Sequence, residues 1–182
     1  MILYGKPGIG KTSIAMAIVS ELGVRYRMLN AVINNKKDFD TVVNEAKMYN
    51  GLVLIMDEIH RMNKDKQDIL LSYIESGLIT LIGLTNANPF HSINPAIRSR
   101  CQLLELKPLN EKDVEKGLKR VKNIYPDIIL DQKTIKYIAQ LSNGDIRYAY
   151  NLIEFAYYGF NKKVTIENIQ EVNNTPSFFT DK

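Results

Sequence analysis

Eight residues near the amino terminus, Gly5-Lys6-Pro7-Gly8-Ile9-Gly10-Lys11-Thr12, constrain this chain more than any other stretch. They match G-x-x-x-x-G-K-[ST] and stand between an apolar run, Met1–Tyr4, and an amphipathic one, Lys11–Leu22. A strand that turns through glycines into a helix is the context in which this pattern cradles phosphate. The glycines let backbone N–H groups converge on phosphate oxygens, and the helix N-terminus adds its partial positive charge. Gly5, Pro7, Gly8, Ile9, Gly10, Lys11, Thr12 and Ser13 are therefore the candidate nucleotide-binding residues. In this reading Lys11 reaches the β and γ phosphates of ATP, and Thr12 offers its hydroxyl to Mg²⁺.

A strand-loop-helix start implies more strands of the same kind, and the chain supplies them. Arg25–Asn30, Leu52–Asp57, Leu78–Thr85 and Gln102–Leu106 read as strands. Lys37–Tyr49, Asp65–Glu75 and Asn94–Ser99 read as the helices between them. Such alternation predicts a parallel sheet covered on both faces, and the wholly apolar Leu52–Met56 suits its centre. After Lys107-Pro108-Leu109 only helical periodicity remains, opened by a capping-type start at Asn110-Glu111-Lys112-Asp113. The expected organisation is an α/β nucleotide-binding core over 1–108, a small all-helical lid over 109–172 and a loose polar tail over 173–182.

The central strand ends in Asp57-Glu58. A carboxylate at that strand end lies beside the phosphate loop, so Asp57 is placed to hold Mg²⁺ through its water shell. Glu58 is placed to orient and polarise an attacking water. The adjacent acids favour a hydrolase over a kinase, because a kinase must keep water away. The competing reading is two acids that end a strand and cap the next helix. His60 has no partner at metal-ligand spacing and reads as a hydrogen-bonding residue at a strand–helix junction, while His91 reads as a loop residue.

The single cysteine, Cys101, excludes an internal disulfide and suits a reducing compartment such as the bacterial cytosol or nucleoid. No apolar run approaches the roughly 20 residues of a membrane span, and no signal peptide is visible. A net charge of +4 permits contact with nucleic acid without demanding it.

Asp57-Glu58-Ile59-His60-Arg61, Lys66-Gln67-Asp68, Ile82-Gly83, Asn88-Pro89 and Asn94-Pro95-Ala96-Ile97-Arg98-Ser99-Arg100 together resemble the replication-associated recombination protein A ATPases. These are also called MgsA, with the Werner-helicase-interacting ATPases as eukaryotic relatives, and they belong to the clamp-loader clade of AAA+ proteins. The resemblance runs from Met1 to about Ile169. It implies a P-loop AAA+ fold and ATP hydrolysis in a homo-oligomer acting on single-stranded or forked DNA, with single-stranded-DNA-binding protein as a further partner.

It also implies roles at single positions. Leu84-Thr85-Asn86 falls at sensor 1, where the family more often reads Ala-Thr-Thr; Thr85 and Asn86 both qualify, and Asn86 is preferred. Ser99-Arg100-Cys101 resembles the clamp-loader Ser-Arg-Cys motif, which makes Arg100 the arginine finger directed at a neighbour's γ-phosphate. Gly144-Asp145-Ile146-Arg147 resembles sensor 2, which directs Arg147 to the γ-phosphate of its own subunit. Arginines converging on such a transition state are worth ~10³–10⁵ in rate. The competing readings are a surface arginine for Arg100 and a helix-face ion pair for Arg147. The family's segment before the first strand and its C-terminal tetramerisation domain have no counterpart in this sequence, so it reads as an ATPase core cut from a longer protein.

Lys112, Lys116, Lys119 and Arg120 recur at helical spacing over Glu111–Lys122, but Glu111, Asp113 and Glu115 interleave with them, so a solvated face is the preferred reading. Tyr137, Tyr148, Tyr150, Tyr157 and Tyr158 read mainly as core. Three functions stay open: the recombination-associated ATPase, a clamp-loader subunit or Holliday-junction motor, and an ATP-binding switch or scaffold with little turnover.

Overall fold

In the computed structural model, which describes residues 1–174, five parallel strands form one sheet. They are β1 (Ile2–Tyr4), β2 (Tyr26–Asn30), β3 (Leu52–Asp57), β4 (Ile79–Thr85) and β5 (Leu103–Glu105), in the order β2-β3-β4-β1-β5. Side chains alternate across β3, so its two faces serve two cores. Ile55 joins Leu3, Ile82 and Leu84 against Ala15 and Val19 of α1 (Lys11–Leu22). Leu54 and Met56 face Val42, Val43 and Ala46 of α2 (Lys36–Met48) and Leu70 of α3 (Lys64–Glu75). Burial on both faces explains why β3 and β4 read as near-continuous apolar runs.

Asparagine and aspartate caps set where the helices begin. Asn35 starts α2 with a full capping box to Asp38, and Asn63 starts α3. Asn88 and Asn94 open α4 (Pro89–Ser92) and α5 (Pro95–Arg100), each with proline in its first turn. A cap of this kind satisfies N–H groups that have no partner within the helix.

The chain divides into two compact units, one of Met1–Lys6 with Gly10–Lys107, the other of Pro7–Ile9 with Pro108 onward. The second unit contains α6 (Glu111–Leu118), α7 (Val121–Ile124), α8 (Gln132–Ser142), α9 (Ile146–Gly159) and α10 (Ile166–Asn174). Val114, Leu118, Ile138, Leu152, Ile153 and Ile169 are among its core residues. Asp131 and Asp145 cap α8 and α9, and the Thr134 backbone N–H holds the Asp131 carboxyl below its ordinary value. Within this unit the Ile146 N–H donates to the Gly8 carbonyl at 3.1 Å.

Three details differ from the sequence reading. The second unit is not wholly helical: β6 (Ile129–Leu130) pairs in parallel with β7 (Lys163–Val164). The helix expected over Glu111–Lys122 ends at Leu118 and a short one resumes at Val121, with Lys119 and Arg120 in the turn between them. Asn173 and Asn174, read as the start of a loose tail, complete α10; the rest of that tail lies outside the described residues.

Candidate functional site

The carboxyl ends of β1, β4 and β3 lie side by side. Tyr4 is opposite Thr85 and Met56 is opposite Gly83, so the segments that follow these strands leave one edge of the sheet together. Open parallel sheets bind their ligands at this edge. β1 and β3 are two strand spacings apart, roughly 10 Å, which leaves a triphosphate and its metal room between the glycine loop and the acids.

The loop is tied to the sheet by the Gly5 N–H, which donates to the Thr85 carbonyl at 3.3 Å. Gly8 and Gly10 have φ of 72° and 92°, in the left-handed region that favours glycine. A Cβ at Gly8 would also lie 1.8 Å from Asp145 Oδ1. Gly10 occupies the N-cap of α1 and provides no side-chain hydrogen bond there, whereas α2, α3, α6, α8 and α9 each have an asparagine or aspartate cap. The first N–H groups of α1 therefore lack the cap that satisfies the others, and an anion suits them. Lys11 Nζ donates to the Gly5 and Lys6 carbonyls at 2.9 and 2.8 Å, holding its ammonium over the loop. Thr12 is partly buried and Ser13 exposed, in the first turn of α1. Pro7 is exposed and Ile9 buried.

At the end of β3 the Asp57 Oδ1 accepts the Glu58 N–H at 2.9 Å. Glu58 has φ 52°, a left-handed conformation unfavourable to a residue with a Cβ, and precedes the 3₁₀ turn Ile59–Arg61. This turn is closed by the Arg61 N–H to the Glu58 carbonyl at 2.8 Å. Ile59 beneath it is fully buried against the sheet, where Gly83 makes room: a Cβ there would lie 3.2 Å from Ile59 Cδ1 and 3.3 Å from Ile2 Cγ1. Backbone strain of this kind, held by surrounding structure, clusters at functional sites.

Thr85 and Asn86 separate clearly. Thr85 is fully buried, with Oγ1 2.9 Å from His60 Nδ1, whereas Asn86 is exposed at the strand end. The other ring nitrogen of His60 lies 3.3 Å from Glu58 Oε2. The hydrogen-bonding residue expected at this junction thus has two named partners, one of them the candidate base.

The two arginines of α5, Arg98 and the candidate Arg100, also separate. Arg98 is half-buried with its guanidinium 5.1 Å from the Phe90 ring centre. Arg100 is exposed, pairs with Glu75 at 2.5 Å and donates to the Ala96 carbonyl at 3.0 Å. A buried side chain that sequence reasoning missed holds this helix in place. Gln67, 4% exposed, donates to the Met62 carbonyl at 3.0 Å and accepts the Asn94 N–H at 2.7 Å. It lay within the Lys66-Gln67-Asp68 resemblance but carried no role there.

Arg147 is exposed in the first turn of α9, in the second unit. Cys101 is partly buried next to α5, and His91 lies in α4 rather than in a loop. Tyr137, Tyr148, Tyr150 and Tyr157 pack against the helical core, while Tyr158 is 70% exposed. No helix among the described residues is long and apolar enough to cross a membrane.

Comparison with known proteins places these features in company. Residues 1–109 match the model of the ATPase family associated with various cellular activities (AAA). The chain is 45% identical to replication-associated recombination protein A of Bacillus subtilis, over the whole chain and 46% of that protein. It is 35% identical to ATPase WRNIP1 of Dictyostelium discoideum, over 99% of the chain and 22% of that protein. The chain therefore spans less than half the length of these relatives. Among solved structures, the Holliday junction branch migration motor RuvB of Thermotoga maritima superposes with a TM-score of 0.78. That match has 27% identity and covers 100% of this chain and 64% of the RuvB chain.

Proposed function

The chain belongs to the AAA family of ATPases, and within it to the replication-associated recombination protein A group, and from that membership we propose that it is the ATP-hydrolysing core of an oligomeric, DNA-linked ATPase. The observation that carries the proposal is the junction of three strand ends. The glycine loop after β1, Asp57-Glu58 after β3 and Thr85-Asn86 after β4 leave the same edge of the sheet.

Gly5, Pro7, Gly8, Ile9, Gly10 and Ser13 surround the phosphates with backbone groups, using N–H donors that no side chain caps. Lys11 would contact the β and γ phosphates, and Thr12 and, through its water shell, Asp57 would hold Mg²⁺. Mg²⁺ held by these residues would supply charge neutralisation at the phosphates. Glu58 accepts a proton from the attacking water and orients it. Asn86, exposed at the end of β4, is placed to position that water. Arg100 reaches the γ-phosphate of a neighbouring copy, and Arg147 that of its own.

Exposure of Arg100 supports its acting on another chain, since a group that serves a neighbour must be reachable by it. The working assembly is a homo-oligomer in the bacterial cytosol or nucleoid. Its partners are single-stranded or forked DNA and single-stranded-DNA-binding protein, in keeping with the recombination role in the relatives' name. The likeness to RuvB favours a second reading, a motor on four-way junctions; stimulation by four-way junctions above that by forks distinguishes it.

Steady-state ATP hydrolysis measured against protein concentration, with and without single-stranded DNA, tests the proposal. Specific activity should climb with concentration and rise further with DNA, and Glu58→Gln should keep nucleotide binding while losing turnover. A Glu58→Gln variant that hydrolyses ATP at the wild-type rate refutes the assignment of the base. Nucleotide binding with a flat, near-zero rate favours the switch reading.

A further inference from the structure

His60 stands between the two parts of the site that must act together. It lies in the turn after β3, its side chain 11% exposed, with both ring nitrogens engaged. Nδ1 is 2.9 Å from Thr85 Oγ1 and Nε2 is 3.3 Å from Glu58 Oε2. His60 is the one hydrogen-bond or ion-pair partner of the Glu58 carboxylate among the described residues.

The direction of these bonds follows from donor and acceptor chemistry. A carboxylate only accepts, so a bare Nε2 lone pair facing Glu58 would repel it. With its proton on Nε2, Nδ1 is bare and accepts the Thr85 hydroxyl proton at 2.9 Å, a shorter contact than the Ala87 carbonyl at 3.4 Å, while Thr85 Oγ1 accepts the Ala87 N–H at 3.0 Å. Neutral His60 is therefore the Nε2–H tautomer, with its N–H on the side of Glu58 at an ion-pair contact of 3.3 Å. An imidazolium would carry a proton on the same nitrogen, so the contact to Glu58 has one polarity in either state. The histidine is anchored on the far side by a fully buried hydroxyl at the end of β4, one residue before Asn86.

We propose that His60 is a positioning residue that aims the Glu58 carboxylate and, through Thr85, couples it to the strand end that carries Asn86. The proposal rests on the reading of Glu58 as the base. Glu58 sits on a strained backbone, with its side chain partly open to water, and an unheld carboxylate there would sample several rotamers. A donor fixed from a second strand reduces that freedom. A shift of the β4 end, which carries Asn86, then changes the aim of Glu58 through the Thr85–His60 hydrogen bond and the His60–Glu58 contact.

Two substitutions separate the two bonds. The amide of His60→Asn reaches about as far as Nδ1, so it keeps Thr85 and loses Glu58. The amide of His60→Gln reaches about as far as Nε2, so it keeps Glu58 and loses Thr85. With the full chain turning over ATP, His60→Asn should lower kcat about 10–100-fold, the size typical for partners that orient a reacting group, with KM for ATP unchanged. His60→Gln should recover part of this loss. A His60→Asn kcat within twofold of wild type overturns the proposal.

Nitrogen-15 NMR of the wild-type chain gives a readout free of turnover. Neutral His60 should be the Nε2–H tautomer, and Thr85→Val should shift it toward a mixture. A predominant Nδ1–H tautomer in the wild type overturns the network directly. A wild-type chain that binds ATP without hydrolysing it would instead count against the hydrolase reading, and the tautomer would still decide the His60 contacts.

Discussion

The end of β3 and the end of α5 each carry a candidate catalytic charge, and they are built in opposite ways. Glu58 emerges from a strand buried on both faces, on a turn seated over Ile59, with His60 and Thr85 behind it. Arg100 emerges from a six-residue helix into solvent, held by an ion pair whose two side chains are 43% and 45% exposed. The first is preorganised within its own chain, where fixed geometry lowers a barrier without reorganisation. The second is lightly tethered, as suits a group whose target lies in another copy.

The largest test of that contrast is Arg100→Ala. Turnover should fall ~10³–10⁵-fold, the usual worth of an arginine finger, with nucleotide binding retained. Mixing Arg100→Ala with Glu58→Gln should restore part of the activity, because each copy supplies what its neighbour lacks; no recovery at any ratio would place both groups in one subunit's site. Next in size is Gln67→Leu, which strips the buried partner from the Met62 carbonyl and the Asn94 N–H. A buried group left unsatisfied costs about 1–3 kcal/mol, so chemical denaturation should show a loss in that range, together with reduced activity as α5 loosens. Unchanged stability would mean that α5 is held by its apolar contacts alone.

The smallest effect belongs to Glu75→Gln. Exposed ion pairs are worth about 0–1 kcal/mol, so releasing Arg100 should raise turnover by no more than about fivefold, and by less at high salt. A gain of tenfold or more would show that Glu75 restrains Arg100 far more firmly than its exposure implies.

The sequence displays these regions unequally. The glycine loop is legible because its spacing is the backbone path itself, and β3 because six residues buried on both faces must be apolar at nearly every position. Burial on both faces also hides information: β4 is buried at all but one position, so alternation does not separate Thr85 from its neighbours. The partner of His60 lies 25 residues away, and only the adjacency of β3 and β4 brings the two together. Arg98 and Arg100 look alike in sequence; Phe90 and Glu75, distant along the chain for Glu75, tell them apart. β6 and β7 are two residues each, too short for any period to mark. Gln67 is a polar residue on a helix that reads as surface, and its burial depends on the two short helices that fold over it.

Gly83 has a meaning beyond packing. The missing methyl in the middle of β4 is the seat on which Ile59 rests, and Ile59 carries Glu58 on one side and His60 on the other. The position of the Glu58 turn is thus gauged by an apolar contact on its hidden side. Gly83→Ala would act as a shim under that turn, lifting it by a few tenths of an ångström while every polar group keeps its identity. A catalytic centre of this design can be detuned mechanically, by thickness alone.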